Sequence, residues 1–150
     1  MNSNLPPSDK VAVVGAASPA VGTSAISTGW IEAKNFYQFV AVVLAGALGS
    51  DATFDAKLEQ ATDNTGTGAK DVTGKSITQL TQAGTDDSNK QALIELSPDE
   101  LDVANGFGHF RLTVTPAVAN SGAAGIVLGL EPRYAPASGF DAASVAEIVG

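Results

Sequence analysis

The chain has no cysteine among its 150 residues, which excludes disulfides, thiolate metal sites and thiol nucleophiles together. Basic residues are few, 8 Lys+Arg against 16 Asp+Glu for a net charge of −8, and they are scattered. Phosphate contacts need clustered cations, so nucleic acid is not an expected partner. The acidity instead gives solubility or meets a basic protein. No hydrophobic run is long: Phe39 to Leu48 is the longest, short of the roughly 20 residues a membrane-spanning helix needs, so no membrane association is expected. The stretch from Val11 to Ala17 resembles the apolar region of a signal peptide. However, the leader before it carries Asp9, Lys10 and two prolines and has no positively charged start, so no secretory signal is expected. Aromatic residues are sparse at 6%, and much of the 44% hydrophobic content is Ala and Val. That is too apolar for a disordered chain and predicts a thin core that depends on close sheet packing.

What is present is a β pattern. Thr53-Phe54-Asp55-Ala56-Lys57-Leu58-Glu59-Gln60 and Gly108-His109-Phe110-Arg111-Leu112-Thr113-Val114-Thr115 alternate apolar and polar residues, the signature of a sheet with one buried and one wet face. In the first, Phe54, Ala56 and Leu58 are expected inside and Asp55, Lys57 and Glu59 outside. Asn35 to Leu48 is rich in aromatic and β-branched residues, and Val40–Leu44 is apolar on both faces. Such a strand is either doubly buried or lies against another subunit. Gln91 to Leu96 and Ala123 to Glu131 read as further strands, the latter as the last of the core with Ile126, Leu128 and Leu130 facing one way. Thr23 to Glu32 is another. Ser97-Pro98-Asp99-Glu100 predicts one helical turn, with Ser97 as cap and Glu100 three residues on. Seven or eight short strands separated by Gly/Asp/Asn/Thr turns predict an all-β, antiparallel β-sandwich, jelly-roll-like, over residues 23–136. An N-terminal arm (1–22) with a short strand at Val11–Val14 and a C-terminal arm (137–150) with a short helix from Asp141 are expected to flank it.

Chemistry-bearing motifs are scarce. His109, the one histidine, lies on the polar phase of its strand with no local nucleophile or orienting carboxylate, and is expected at a surface or interface. The loop Asp63-Asn64-Thr65-Gly66-Thr67-Gly68 faintly resembles a calcium loop, but it lacks the third acidic position and the distal Glu. A plain hairpin loop is the expectation, and no metal or other cofactor is assigned. Trp30, Phe36 and Tyr37 lie in apolar strands and are expected in core packing rather than on a glycan platform. Gly122-Ala123-Ala124-Gly125 precedes a strand, without the helix a phosphate cradle requires. No catalytic residue is assigned, and an enzyme is not expected.

Five segments, in this order and spacing, resemble a family of small proteins encoded beside capsid genes in tailed bacteriophages. They are Ala56-Lys57-Leu58-Glu59-Gln60-Ala61-Thr62-Asp63-Asn64, Asp71-Val72-Thr73-Gly74, Leu101-Asp102, His109-Phe110-Arg111-Leu112-Thr113-Val114-Thr115-Pro116, and Gly129-Leu130-Glu131-Pro132-Arg133-Tyr134-Ala135-Pro136. The likeness spans Phe54 to Pro136. It implies a virion component on a β-sandwich, a capsid cement or decoration protein at the capsid surface with the major capsid protein as partner. It carries over no catalytic residue. A tail or head–tail junction subunit is the alternative within the virion, and a carbohydrate-binding or adhesin module the alternative outside it. Self-association as a dimer or trimer is expected. The residues expected to contact partners are Val11, Val13 and Val14 of the first arm, Val40 and Val42 of the doubly apolar strand, and Val145 and Ile148 of the second arm.

Overall fold

Ten strands follow one another along the chain in the computed structural model, which describes residues 4–150. They are β1 (Val11–Gly22), β2 (Ile26–Ser27), β3 (Ile31–Glu32), β4 (Phe36–Ala45), β5 (Thr53–Ala61), β6 (Lys70–Ser76), β7 (Leu80–Thr81), β8 (Gln91–Leu96), β9 (His109–Ala117) and β10 (Ser121–Pro132). One sheet has the order β1-β10-β4-β8; the other runs β2-β9-β5-β6, with β3 also on β9 and β7 also on β5. All recorded pairings are antiparallel. The chain crosses repeatedly between the two layers, and the resulting strand order is that of a jelly roll. The fold is thus the antiparallel β-sandwich the alternation predicts. Among the described residues no helix is long and apolar enough to cross a membrane.

The core forms where the inward phases of the two sheets meet. Phe54, Ala56 and Leu58 of β5 are fully buried beside Phe110, Leu112 and Val114 of β9. From the other sheet come Phe36, Phe39, Ala41 and Val43 of β4 and Val127 of β10. Phe39 meets Phe110 edge-on across the layers at 4.8 Å and Phe36 at 5.6 Å, the arrangement the ring quadrupoles favour. The predicted turn after Ser97 is a 3₁₀ turn, Pro98–Glu100, in which the Glu100 carboxylate accepts the Ser97 N–H at 2.8 Å.

Three expectations are corrected. Residues 1–3 of the N-terminal arm lie outside the described residues, but Val11–Gly22 is a twelve-residue strand of the sandwich, paired with β10 from Val11↔Leu130 to Gly22↔Ser121. It buries Ala12 and Ala17. The low side-chain volume of this Ala/Gly-rich stretch suits an edge strand lying close over the core. The C-terminal segment forms no helix at Asp141. Ala137–Phe140 is a 3₁₀ turn with Ala137 buried and Phe140 packed edge-on to Phe36 at 5.6 Å. Asp141 spends its carboxylate on the Val13 N–H at 2.8 Å, while the Ala142 N–H donates to the Val13 carbonyl at 2.7 Å. A side chain satisfying the free edge of β1 is not available to cap a helix. Finally, Thr23–Glu32 is not one strand: Thr28 interrupts it, its hydroxyl accepting the Leu112 N–H at 3.1 Å, so that β2 and β3 pair with β9 separately.

Candidate interaction surface

β10 is amphipathic in the inverse sense. Its inward residues are Ser121, Ala123, Gly125, Val127 and Gly129; its outward ones include Ala124, Ile126, Leu128 and Leu130. The small residues are inside because neighbours fill the space. A Cβ at Gly125 would stand 2.6 Å from a Leu112 methyl, and one at Gly129 2.7 Å from the Phe36 ring. Among the described residues no core contact accounts for large aliphatic side chains on the outside. Ile126, Leu128 and Leu130, which the sequence pattern suggests are core, face away from it.

The register extends this face across the sheet, since directly opposed residues on paired strands share a side. Val11 and Val13 of β1 stand opposite Leu130 and Leu128; Leu128 is flanked on its other side by Val40, Ile126 by Val42 and Ala124 by Leu44. Beyond β4, Val42 meets Leu93 and Val40 meets Glu95 of β8. These aliphatic residues are half-buried or exposed, Leu44 at 40% and Leu93 at 64%. Gln38, Gln91 and Glu95 stand along the border, and Glu95 is the one charge on this face of the paired residues. Scattered exposed apolar residues need no explanation, but a contiguous aliphatic sheet face with a polar border marks a contact surface.

The opposite sheet shows what a solvated face looks like here. On β5 and β9, Glu59 accepts from Arg111 Nε at 2.7 Å and from the Thr113 hydroxyl at 2.7 Å. Lys57 bridges to Asp71 at 2.7 Å, and the Arg111 guanidinium lies 4.6 Å over Trp30. Burial alone would raise the Glu59 pKa, but the hydrogen bonds from Thr113 and Arg111 outweigh it and hold the carboxyl below its ordinary range. A depressed folded-state pKa gives stability that is present above the unfolded value and lost as pH falls through the folded one. Urea titrations are therefore expected to show stability falling below about pH 4, with a shallower fall in Glu59→Gln. An acid limb unchanged in that variant would show that Glu59 has no part in it.

The structure brings four of the seven predicted contact residues together: Val11, Val13, Val40 and Val42 share the aliphatic face. Val14 does not: alternation along β1 puts it on the side opposite Val13, packed against the core. Val145 is half-buried and Ile148 54% exposed in the segment beyond the docked 3₁₀ turn. The sequence reading missed Leu44, Leu93, Ile126, Leu128 and Leu130 as surface residues. The available signal was the Gly125-x-Val127-x-Gly129 phase, too small to be the inward side of an ordinary strand unless large residues from other strands fill it.

The remaining candidates fall to structural roles. Asp63 closes its own loop, Oδ1 accepting the Thr65 and Thr67 N–H groups at 2.9 and 3.0 Å and the Thr65 hydroxyl at 2.8 Å. The hydrogen bonds from Thr67 and Thr65 hold its pKa far below the usual carboxylate range. Gly66, at φ 87°, lets the loop close over Trp30. Among the described residues no group of three His, Asp or Glu side chains is placed to hold a metal ion. Phe36 is core and Tyr37 is exposed beneath the Arg133 guanidinium at 4.2 Å, so the aromatics form no common platform. His109 is half-buried at the start of β9, facing a depression it shares with Glu32, Lys34, Leu101, Phe107 and Arg133. Its Nδ1 has no hydrogen-bond partner among the described residues.

The molecule is thus a jelly-roll β-sandwich with one polar and one aliphatic outer face. No family model matches the chain, and no curated protein matches it. Among solved structures it is similar to a chain in the structure of infectious bursal disease virus, Gx strain, at 10% identity and a TM-score of 0.43, covering 86% of this chain and 34% of that one. It is also similar to one in the Gt strain structure, at 10% identity and a TM-score of 0.42, covering 85% and 34%. It spans about a third of the length of either viral chain.

Proposed function

We propose that the protein is a structural subunit of a virion, a cement or decoration protein that binds the major capsid protein lattice at the surface of a tailed-phage head. The observation that carries this reading is the aliphatic face of the β1-β10-β4-β8 sheet, whose paired outward residues carry one charge, Glu95 at the border, on a body where Asp63 is engaged in closing its own loop and Lys57 in a surface ion pair. The sequence likeness from Phe54 to Pro136 supports it. The jelly roll occurs in viral capsid domains and equally in lectin domains, so the architecture raises the reading by analogy only. A shell subunit is repeated many times, and repetition turns modest contacts into strong retention through effective concentration.

Adding the purified protein to capsids that lack it is the test. Stoichiometric density on the outer head lattice is expected, together with a higher temperature of capsid disruption. Density confined to the tail or the head–tail junction would overturn the cement role, and glycan binding without capsid occupancy would replace it with the carbohydrate-binding reading.

A further inference from the structure

We infer that the occupant of the aliphatic face is the same face of a second copy of this chain, packed sheet on sheet about a two-fold axis. Three observations point there. The first is charge. The chain carries −8 overall, so two copies repel through most of their surfaces. The β1-β10-β4-β8 face is where that repulsion is least, because its paired outward residues include one charge, Glu95, on the outer strand β8. In a two-fold pair the two Glu95 side chains stay at the border, in water.

The second is area. The face is four strands wide. With strands about 4.8 Å apart and a rise of about 3.3 Å per residue, its footprint along β10 is roughly 500 Å². Two such faces bury about 1,000 Å², the threshold a specific interface must clear. A smaller apolar patch would not reach it, and this one reaches it only when the whole face is used.

The third is shape. A face of Val, Ile and Leu side chains on a pleated sheet is self-complementary in the way the two inner layers of a sandwich are, about 10 Å apart with strands some 30° off parallel. On the second strand of the sheet Leu128 stands between Val13 and Val40, and Ile126 between Ala16 and Val42. An isologous contact sets these rows into the grooves of their own copies. The pair so formed would present its polar sheets outward on both sides.

Sedimentation and light scattering of the full chain in solution test this. A mass twice the 15.1 kDa of the single chain is expected. Leu128→Lys is expected to weaken association about a hundredfold, as loss of a central anchor does. Thr115→Lys, on the polar sheet, is expected to leave it unchanged. Should Leu128→Lys fail to fold, Leu93→Lys on the already exposed border serves instead, with about a tenfold weakening expected. A single-chain mass at all concentrations overturns the inference, as does a dimer that both lysine variants leave intact. The inference stands apart from the capsid reading. A dimer that ignores capsids supports it and removes the cement role; a monomer that coats capsids through Leu128 does the reverse, handing the face to the capsid protein.

Discussion

Removing residues 1–22 is expected to abolish the folded state, not merely to trim a tail. β1 pairs along nearly the whole of β10, from Leu130 to Ser121. A strand of this length carries on the order of ten ladder hydrogen bonds, each worth about 1 kcal/mol net. Ala12 and Ala17 leave the core with it, and Val13 no longer anchors Asp141 and Ala142, so the 3₁₀ turn holding Phe140 against Phe36 loses its tether. The sum is comparable to the whole stability of an ordinary domain, about 5–15 kcal/mol. What remains exposes the edge of β10 with its aliphatic residues, a template for aggregation. The expected result is insoluble protein, or soluble material without a cooperative unfolding transition. Removing residues 143–150 is the contrast. Their recorded tie to the body is a Val145 N–H donated to the Ala142 carbonyl at 2.9 Å, and the truncated chain is expected to unfold within about 1 kcal/mol of the full one. A cooperative, soluble protein lacking 1–22 would refute the account of β1 as a strand of the sandwich.

How much of this was legible before the structure depended on whether polar residues marked the phase. In β5 and β9 charged and hydroxyl side chains occupy every outward position that matters, so the alternation of Phe54, Ala56 and Leu58 with Asp55, Lys57 and Glu59 gave the buried face directly. In β10 both phases are apolar. Hydrophobicity then says nothing about direction, and the rule that large residues go inside points the wrong way for Ile126, Leu128 and Leu130. Direction there is set by volume already in place beneath β10: Leu112 of the facing sheet and Phe36 of the neighbouring strand β4 fill the space over Gly125 and Gly129. That is a long-range fact, which no local pattern records. β1 was obscured for a related reason. Ala, Gly, Ser and Pro give it the composition of a linker, and it is a strand because β10 supplies its hydrogen bonds and the core beneath it has room only for small side chains. Val40 and Val42 were legible as candidates because a doubly apolar strand allows two explanations, burial or a partner, and their place on the outward phase of β4 keeps the second open. Val14 lies on the core side because neighbouring residues of a strand face opposite ways, so it cannot share a face with Val13.

The inverted phase of β10 makes a second strong prediction. Gly129→Val is expected to destabilise the fold by about 3 kcal/mol or more, and Gly129→Ala by about 2 kcal/mol. Strand propensity argues the opposite, since valine favours extended backbone and glycine does not. Packing decides, because the first carbon added would lie 2.7–2.8 Å from three atoms of the Phe36 ring. That ring cannot retreat: it is fully buried, with Phe39 and Phe140 each 5.6 Å away edge-on. The clash at Gly125 is with the end of a leucine side chain, which turns more readily than a ring, so Gly125→Ala is expected to cost less than Gly129→Ala. Gly108→Ala, with nothing within 4 Å of the added carbon, is expected to be near neutral, which separates crowding from any general effect of losing glycine. Urea midpoints at fixed protein concentration measure all four, with unchanged slopes showing that the unfolded state is the same. The double variant Gly129→Ala with Phe36→Leu should be more stable than the sum of its parts implies, because the smaller side chain relieves the contact and the two changes couple. Additive losses, or a neutral Gly129→Val, would mean that Phe36 is not what keeps β10 small on its inner side, and the reason for its large residues facing outward would have to be sought elsewhere.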